Sequence, residues 1–325
     1  MSKPTKPPHA GRGPANRPNR PQSPLTPPAE SHPPERTLKI AGLPAVAALF
    51  KREPERVLRL FYEDRMVPKA GDFCARLARL HRPYRLVDGE ELARIAGTVL
   101  HGGIVAVVEP RPIAPFDPEA ARAWASSGQP LFILDGVGNP HNLGAIARTL
   151  AFLGYRHLVI SDHPAQAGIS EAAYRVAEGG LEYLSIHRAE RLPTLLKRIA
   201  GDFRVVGTAL GRGGLPLENL RDDPRPVALV LGNEEDGLLP ATLEACEAIV
   251  TLRGAGTVQS LNVSATAAIF AHALRPPSTL SARPPAERRD PPRAGRGKPR
   301  AFTEPAKDGR NPPKPRIRRA KKDPL

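Results

Sequence analysis

Cysteine is scarce in this chain: Cys74 and Cys246 are its two cysteines among 325 residues. They lie far apart, so they form neither a disulfide framework nor the spacing of a metal-ligand set. The sequence therefore predicts a protein without a metal site. It also predicts folding in a reducing compartment, and we expect the cytoplasm.

Long apolar runs are missing as well. No stretch reaches the roughly 20 apolar residues that a membrane-spanning helix needs. The N-terminal segment combines basic residues with proline and has no apolar core behind them, which excludes a secretory signal. We expect no membrane association.

Acidic residues are fewer than basic ones, and the formal net charge is +15. The excess is at the ends: residues 1–36 carry six Lys or Arg and two Glu, whereas residues 276–325 carry fifteen Lys or Arg and five Asp or Glu. Both ends are rich in proline and poor in apolar side chains, which predicts disordered tails. Such basic tails bind nucleic-acid phosphates by counterion release. A solubilising extension is the alternative.

Residues 37–110 have the pattern of a small α/β unit. Strands are predicted at 56–62, 84–87 and 103–109, and helices at 72–81 and 89–97. The segment 111–129, which contains several prolines and ends in Ser-Ser-Gly, is predicted to be a linker that can hold one short helix.

Residues 130–275 alternate strands and helices more regularly. Near-continuous apolar strands separated by helices indicate a parallel sheet covered on both faces, so the fold class is α/β. Ligands bind such sheets at the carboxyl ends of the strands, here after Asp135, Thr208, Gly232 and Arg253. Strands are predicted at 131–135, 157–161, 182–186, 203–210, 226–232 and 248–253, and helices at 142–153, 170–178, 190–200, 240–246 and 261–274.

The segment LDGVGNPHNLGAIARTLAFLG (134–154) joins a buried strand to a helix. Asn139 is the predicted N-cap, and Pro140 takes the first helical position, where its missing N–H costs nothing. Asn142 and Arg148 follow on the helix. Each also has an ordinary interpretation: Asn142 can cap the first turn, and Arg148 can be a surface arginine.

Two further segments end near the same strand edge. LVLGNEEDGL (229–238) is an apolar strand followed by an acidic loop bounded by glycines, and a solvated turn is its alternative interpretation. QSLNVSATAAIF (259–270) starts the last predicted helix. The glycines at 254–256 lack the spacing of a dinucleotide-binding loop, which excludes a Rossmann cofactor.

Taken in order, the three segments resemble the SpoU (TrmH-type) branch of the SPOUT RNA methyltransferases. Residues 37–110 resemble the L30e-like RNA-substrate-binding domain that often precedes this catalytic domain. The matching motif residues are Asn142, Gly144 and Arg148 in N-x-G-x-x-x-R, Gly232, Asn233, Glu234 and Gly237 in the acidic loop, and SLNVS at 260–264.

The resemblance implies a SPOUT domain ending in a deep trefoil knot, assembled as a homodimer. It implies S-adenosylmethionine as methyl donor and a ribose 2′-hydroxyl of tRNA or rRNA as acceptor, without a metal. The implied catalytic residues are Arg148, Asn142, Ser260 and Asn262. The implied cofactor-binding residues are Thr208, Gly232, Asn233, Glu234, Gly237, Leu252 and Leu261.

Arg148 matches the catalytic arginine of the family. A guanidinium stays protonated in proteins, so it is a poor general base. It is better suited to clamp the adjacent phosphate and to stabilise negative charge that develops on the 2′-oxygen. We expect Gly232 to let the cofactor approach the backbone closely.

The sequence also departs from the family pattern. Arg253 and Gly254 stand where the family often has proline and methionine, and Glu178 stands among small residues in RVAEGG (175–180). These departures concern the RNA target more than the cofactor site. A second function is therefore weighed: a non-catalytic RNA-binding or ribosome-assembly factor that keeps the SPOUT scaffold. The basic tails disfavour a substrate other than RNA.

Overall fold

A four-stranded mixed sheet opens the fold. The computed structural model describes residues 37–210 and 214–275, so the two predicted tails lie outside the described residues. The first sheet has the order β1-β4-β2-β3, with β2 antiparallel to β4 and parallel to β3. Its strands are β1 (Leu38–Ala41), β2 (Val57–Tyr62), β3 (Tyr84–Leu86) and β4 (Ile104–Val108).

Three helices pack with this sheet: α1 (Leu43–Arg52), α2 (Val67–Arg79) and α3 (Gly89–Ala96). The sequence predicts α2 and α3 but neither β1 nor α1. Helix α1 follows Gly42, which has a φ of 95° and makes no side-chain cap hydrogen bond. The polar residue that usually marks the start of a helix is therefore missing. Strand β1 has four residues, too few for a periodicity to be recognised.

The second sheet has seven strands in the order β11-β9-β10-β6-β7-β8-β5. Every pairing in it is parallel, which confirms the predicted α/β class. The central strands β6 and β10 are buried at every residue. The strands are β5 (Ala114–Pro115), β6 (Leu131–Asp135), β7 (His157–Ser161), β8 (Ser185–Ala189), β9 (Arg204–Thr208), β10 (Val227–Gly232) and β11 (Ala248–Val250).

Helices cover both faces of this sheet. Phe132 and Leu134 of β6 belong to the core shared with α5 and α9, whereas Leu131 and Ile133 belong to a second core shared with α4 and α7. None of the helices in the described part of the chain is long and apolar enough to cross a membrane. The helices are α4 (Pro118–Ser126), α5 (Pro140–Phe152), α6 (Glu171–Ala177), α7 (Leu192–Ile199), α8 (Pro240–Glu244) and α9 (Val263–Ala273).

The segment 111–129, predicted to be a linker with one short helix, contains that helix as α4 and also adds a strand to the seven-stranded sheet. Strand β5 extends the sheet edge beside β8, and α4 packs on the face of the sheet that α7 covers. The Trp124 ring stacks on His157 with their centroids 3.6 Å apart. Burial lowers the pKa of His157 to about 4, so the imidazole is neutral at pH 7 and tolerates this apolar contact.

A buried ionic network joins the two sheets. The Glu182 carboxylate has a fully buried side chain and accepts from Arg111 Nη2 at 2.6 Å and Arg56 Nη1 at 3.2 Å. Glu53 contacts both arginines as well. Because Arg56 directly precedes β2 and Glu182 precedes β8, this network fixes the small sheet against the large one.

The network also explains a wrong element boundary. A strand was predicted at 182–186, but residues Gly180–Tyr183 form a short 3₁₀ helix and β8 starts at Ser185. The 3₁₀ turn directs the Glu182 side chain toward the two arginines. A local apolar pattern cannot indicate a partner that is more than 70 residues away.

Candidate functional site

The carboxyl ends of β6 and β10 form the centre of the site. The two strands are neighbours, and Asp135 pairs with Gly232 at their last positions. The chain leaves β6 toward β7 and returns through β9 to β10, and α5 and α8 pack into the cores on opposite faces of the sheet. Such a reversal of strand order leaves a crevice outside the carboxyl ends, where α/β sheets bind their ligands.

Asn142 connects all three motif segments. Its Nδ2 donates to Glu234 Oε1 at 2.7 Å, and its Oδ1 accepts from Asn262 Nδ2 at 3.0 Å. The side chain is buried, and the helix cap is Asn139, whose Oδ1 accepts from the His141 N–H at 2.8 Å. Asn142 is therefore not a capping residue, and its amide is committed to the other two segments.

The acidic loop is folded around Asn233 and Glu234. Asn233 Nδ2 donates to the Gly136 carbonyl at 2.8 Å, and its Oδ1 accepts from the N–H groups of Glu235 and Asp236. Glu234 Oε2 accepts from the Gly138 N–H at 3.3 Å, beside the start of α5. Glu234, Glu235 and Asp236 are all exposed, as in a solvated turn. The Glu234 carboxylate nevertheless accepts from both the Gly138 N–H and Asn142 Nδ2, so it is held at the crevice.

Gly232 is required for a steric reason of its own, beside the expected cofactor approach. A Cβ at this position would lie 2.4 Å from the Gly237 carbonyl carbon, so any side chain collides with the loop backbone. Gly237 itself has a φ of 73°, which favours glycine. Together the two glycines let residues 233 and 237 exchange backbone hydrogen bonds and close the loop.

Helix α9 is held so that its first residues face the crevice. Asn262 caps it by accepting from the Ser264 N–H at 2.8 Å, while its amide nitrogen reaches Asn142. At the far end, Tyr155 Oη donates to the Ala271 carbonyl at 2.8 Å and Arg221 Nε donates to the Ala273 carbonyl at 2.8 Å. Fixing both ends of α9 fixes the position of Asn262.

The remaining predicted cofactor residues and the predicted catalytic Ser260 lie at the end of β9 or after β11. Thr208 Oγ1 donates to the Val230 carbonyl at 3.1 Å, so its hydroxyl serves the sheet. Leu252 is partly buried against the core, whereas Ser260 and Leu261 are exposed. Leu210, two residues after β9, is exposed as well. These loops offer backbone groups and apolar side chains, which suit a neutral aromatic ring better than a phosphate.

Arg148 lies on a different side of α5. It is six residues beyond Asn142, which is about 9 Å along the helix axis and about a third of a turn around it. Its Nη2 lies 2.8 Å from Glu178 Oε2, and the two side chains are 55% and 46% exposed. One protomer therefore brings Asn142, Glu234 and Asn262 together and leaves Arg148 on the outer surface.

Two supporting residues were missed by sequence reasoning. Gln166 Oε1 accepts from the N–H groups of Gly136 and Val137 at 3.1 Å, and its Nε2 donates to the Val137 carbonyl. Thr242 Oγ1 donates to the buried Asp135 at 2.9 Å. Both brace the end of β6 through contacts between distant residues, which no local motif indicates. Among the described residues, no group of His, Cys, Asp and Glu could hold a metal ion.

Comparison with known families gives two matches. Residues 129–272 match the SpoU rRNA Methylase family, and residues 39–114 match the RNA 2′-O ribose methyltransferase substrate-binding family. The four-stranded sheet therefore matches the substrate-binding family, and strands β6 to β11 of the seven-stranded sheet match the methylase family.

Individual relatives agree with these matches. The chain is 33% identical over 233 residues to the 23S rRNA (guanosine-2′-O-)-methyltransferase RlmB of Acinetobacter baylyi, covering 70% of this chain and 92% of the relative. It is 32% identical to an uncharacterized tRNA/rRNA methyltransferase of Haemophilus influenzae, covering 72% of this chain and 65% of the relative.

Solved structures share the fold. An AdoMet-bound rRNA methyltransferase from Sinorhizobium meliloti superposes with a TM-score of 0.61 at 22% identity, covering 74% of this chain and 87% of the other. The SpoU methyltransferase AviRb from Streptomyces viridochromogenes gives a TM-score of 0.57 at 21% identity, covering 73% and 88%.

Proposed function

The chain belongs to the SpoU rRNA methylase family and is an S-adenosylmethionine-dependent RNA 2′-O-methyltransferase, and we propose that a guanosine of 23S ribosomal RNA is its substrate. The observation that carries this proposal is the hydrogen-bonded set of Asn142, Glu234 and Asn262 at the crevice between β6 and β10. The RlmB relatives, which this chain covers almost completely, supply the substrate class.

The same set of contacts favours an enzyme over the alternative of a non-catalytic scaffold. Stability alone does not require a buried asparagine between two other loops, because replacing both partners of a buried hydrogen bond with apolar groups of the same shape can be nearly neutral. Its role is easier to understand as fixing the three loops around a ligand. We propose that Asn142, Ser260 and Asn262 hold the acceptor ribose.

The loops after β9, β10 and β11 suit S-adenosylmethionine, which supplies an electrophilic methyl group on a sulfonium. We propose that Gly232, Asn233, Glu234 and Gly237 hold it through the closed acidic loop. Thr208, Leu252 and Leu261 complete the proposed binding set, Thr208 through its main chain because its hydroxyl is bonded within the sheet. The exposed leucines are the apolar surface that an adenine ring would cover.

Binding of the cofactor separates the enzyme from the scaffold. Titration of S-adenosylmethionine into the full chain, followed by calorimetry, is expected to give saturable binding with one site per protomer. Gly232→Ala should abolish it, because the added Cβ displaces the Gly237 backbone. Saturable binding supports the enzyme, and a wild-type chain that binds no S-adenosylmethionine would favour the non-catalytic RNA-binding factor.

We propose a homodimer that buries the outer face of α5. Phe152 follows Arg148 by one helical turn and is 85% exposed, and Ile269 on the neighbouring helix α9 is exposed as well. Exposed apolar residues on two packed helices are typical of a protein interface. Such a dimer would carry Arg148 of one protomer to the boundary with its partner.

Phe152→Glu is expected to convert the dimer to monomers, because it places a charge in the proposed apolar interface. Light scattering coupled to size exclusion measures the mass. Val99→Glu is the matched control, since Val99 is equally exposed but lies on the small-sheet unit. A Phe152→Glu protein that keeps the dimer mass, or a monomeric wild type, would contradict the proposed interface.

We also propose that the basic ends contribute to RNA binding. Deleting residues 276–325, which carry fifteen Lys or Arg, should flatten the dependence of RNA affinity on salt because fewer counterions are released. Deleting residues 1–36, with six Lys or Arg, should have a smaller effect. Filter binding at several salt concentrations gives both slopes. Unchanged slopes would mean that the ends do not contact RNA.

The finer organisation follows the family. We propose that residues 37–110 are the RNA-substrate-binding domain, that residues 130–275 are the catalytic SPOUT domain, and that the latter ends in the trefoil knot. Helix α9 supports the knot, because it returns from the sheet edge at β11 to pack on α5 near the sheet centre. Ribosomal RNA as substrate makes the cytoplasm the proposed location.

A further inference from the structure

Glu178 stands beside the proposed catalytic arginine. Its Oε2 lies 2.8 Å from Arg148 Nη2, and about half of each side chain is exposed. In one protomer the pair therefore faces solvent, at the boundary to which the proposed dimer brings Arg148. A guanidinium binds carboxylates and phosphates through the same planar set of donors.

The backbone of Glu178 has a conformation that costs energy. Glu178 ends α6 with φ 45° and ψ 43°, a left-handed geometry that glycine or asparagine adopts more readily than glutamate. The cost of this geometry exceeds what an exposed ion pair usually contributes to stability. Local stability therefore does not explain why a glutamate is present.

The turn that carries Glu178 is fixed on both sides. A Cβ on Gly179 would lie 2.7 Å from the Ala48 Cβ of α1, and a Cβ on Gly180 would lie 2.8 Å from the Arg148 Cα of α5. The turn is thus wedged between the small-sheet unit and the helix of the catalytic arginine. Its carboxylate is held next to the guanidinium by packing, independently of the ion pair.

We propose that Glu178 is an anionic placeholder for an RNA phosphate. In the RNA-free protein it holds the Arg148 guanidinium in one orientation, and it yields this partner to a phosphodiester when RNA binds. The exchange is feasible because the ion pair is exposed and weak. This inference rests on the proposed role of Arg148 as a phosphate clamp.

The placeholder has a measurable consequence for affinity. RNA must displace the carboxylate from Arg148 and also approach its negative charge. Removing the carboxylate alone should therefore tighten RNA binding, and part of the gain should depend on Arg148. A glutamate that merely stabilises the fold would show neither effect.

The test is a double-mutant cycle on RNA binding by the full chain. Dissociation constants for an unmodified 23S rRNA transcript are measured at low salt for wild type, Glu178→Gln, Arg148→Ala and the double variant. Glu178→Gln should tighten binding roughly two- to fivefold in the wild-type background. In the Arg148→Ala background the tightening should be clearly smaller.

Two controls keep the outcome clear. Glu119→Gln removes an exposed, ion-paired carboxylate from α4 and should leave the RNA affinity almost unchanged. If it tightens RNA binding as much as Glu178→Gln does, the change in net charge alone explains the effect and the placeholder is wrong. Glu178→Gly should tighten RNA binding and raise the unfolding temperature, because glycine adopts the left-handed backbone readily. It takes the place of Glu178→Gln in the test if that variant folds poorly.

No tightening, or equal tightening with and without Arg148, overturns the placeholder. Methyl transfer by the wild type to the same transcript is measured in parallel. If transfer fails but the coupling between Glu178 and Arg148 is present, then the proposed substrate is wrong and the placeholder stands. If transfer occurs without that coupling, the proposed substrate stands and the placeholder is wrong.

Discussion

Replacing Arg148 with alanine is expected to lower kcat for RNA methylation by about 10²- to 10³-fold, the usual cost of losing one donor that stabilises developing negative charge. The cofactor affinity should change little, because Arg148 lies on the face of α5 turned away from Asn142 and the acidic loop. Transfer of a radioactive methyl group at saturating S-adenosylmethionine and RNA measures kcat, and calorimetry measures the affinity.

The controls for this prediction address charge and shape. Arg148→Lys keeps the charge but not the planar donor set, so it should recover part of the activity. Arg122→Ala removes a comparably exposed, ion-paired arginine from α4 and should keep the wild-type rate. An Arg148→Ala protein with full activity would remove the arginine from the mechanism.

Glu182→Ala should lower the free energy of unfolding by about 3 kcal/mol, because it leaves two guanidinium groups buried without their shared carboxylate. The Glu182 side chain is fully buried and contacts both Arg56 and Arg111. Glu53, which also contacts both, keeps the loss at the lower end of the usual range. Urea denaturation followed by circular dichroism measures the change.

Glu119→Ala is the matched control for Glu182→Ala. It removes one carboxylate of an exposed ion pair on α4, which should cost less than about 1 kcal/mol. If Glu182→Ala is as mild as this control, the network does not fix the small sheet against the large one. Glu182→Gln keeps a hydrogen-bond acceptor and should lie between the two.

Six strands of the seven-stranded sheet were predictable because they are nearly continuous apolar runs, whereas the two-residue β5 fell in the predicted linker. Strands such as β6 and β10 are buried at every position, so their sequence pattern is strong. The β1 strand and the α1 helix were missed because one is short and the other begins without a polar cap. Strength of the local signal, rather than importance to the fold, decided which elements could be predicted.

The candidate site was predictable in its residues but not in its contacts. The motif spacing indicates Asn142, Glu234 and Asn262, and the strand-end rule for α/β sheets predicts that their loops meet. The hydrogen bonds through Asn142, the inward turn of Glu234 and the brace by Gln166 depend on tertiary packing. None of these contacts follows from periodicity.

Sterics bear on two of the expectations. Gly232 was expected to let a cofactor approach, and the structure adds that the acidic loop itself occupies the space that a Cβ would need. Arg148 was expected to share one cleft with the three loops, but the helix turns it toward Glu178. Helical geometry alone places residues six positions apart on different faces, so this second result was within reach of the sequence.

The central claim is that these loops transfer a methyl group to a ribose of ribosomal RNA. Its most direct test incubates the protein with S-adenosylmethionine and unmodified 23S rRNA or tRNA transcripts, and then maps 2′-O-methylated nucleotides. The account predicts one new 2′-O-methylguanosine in 23S rRNA, lost with Arg148→Ala. Methylation confined to tRNA would contradict the proposed substrate, and no methylation of either RNA would contradict the claim itself.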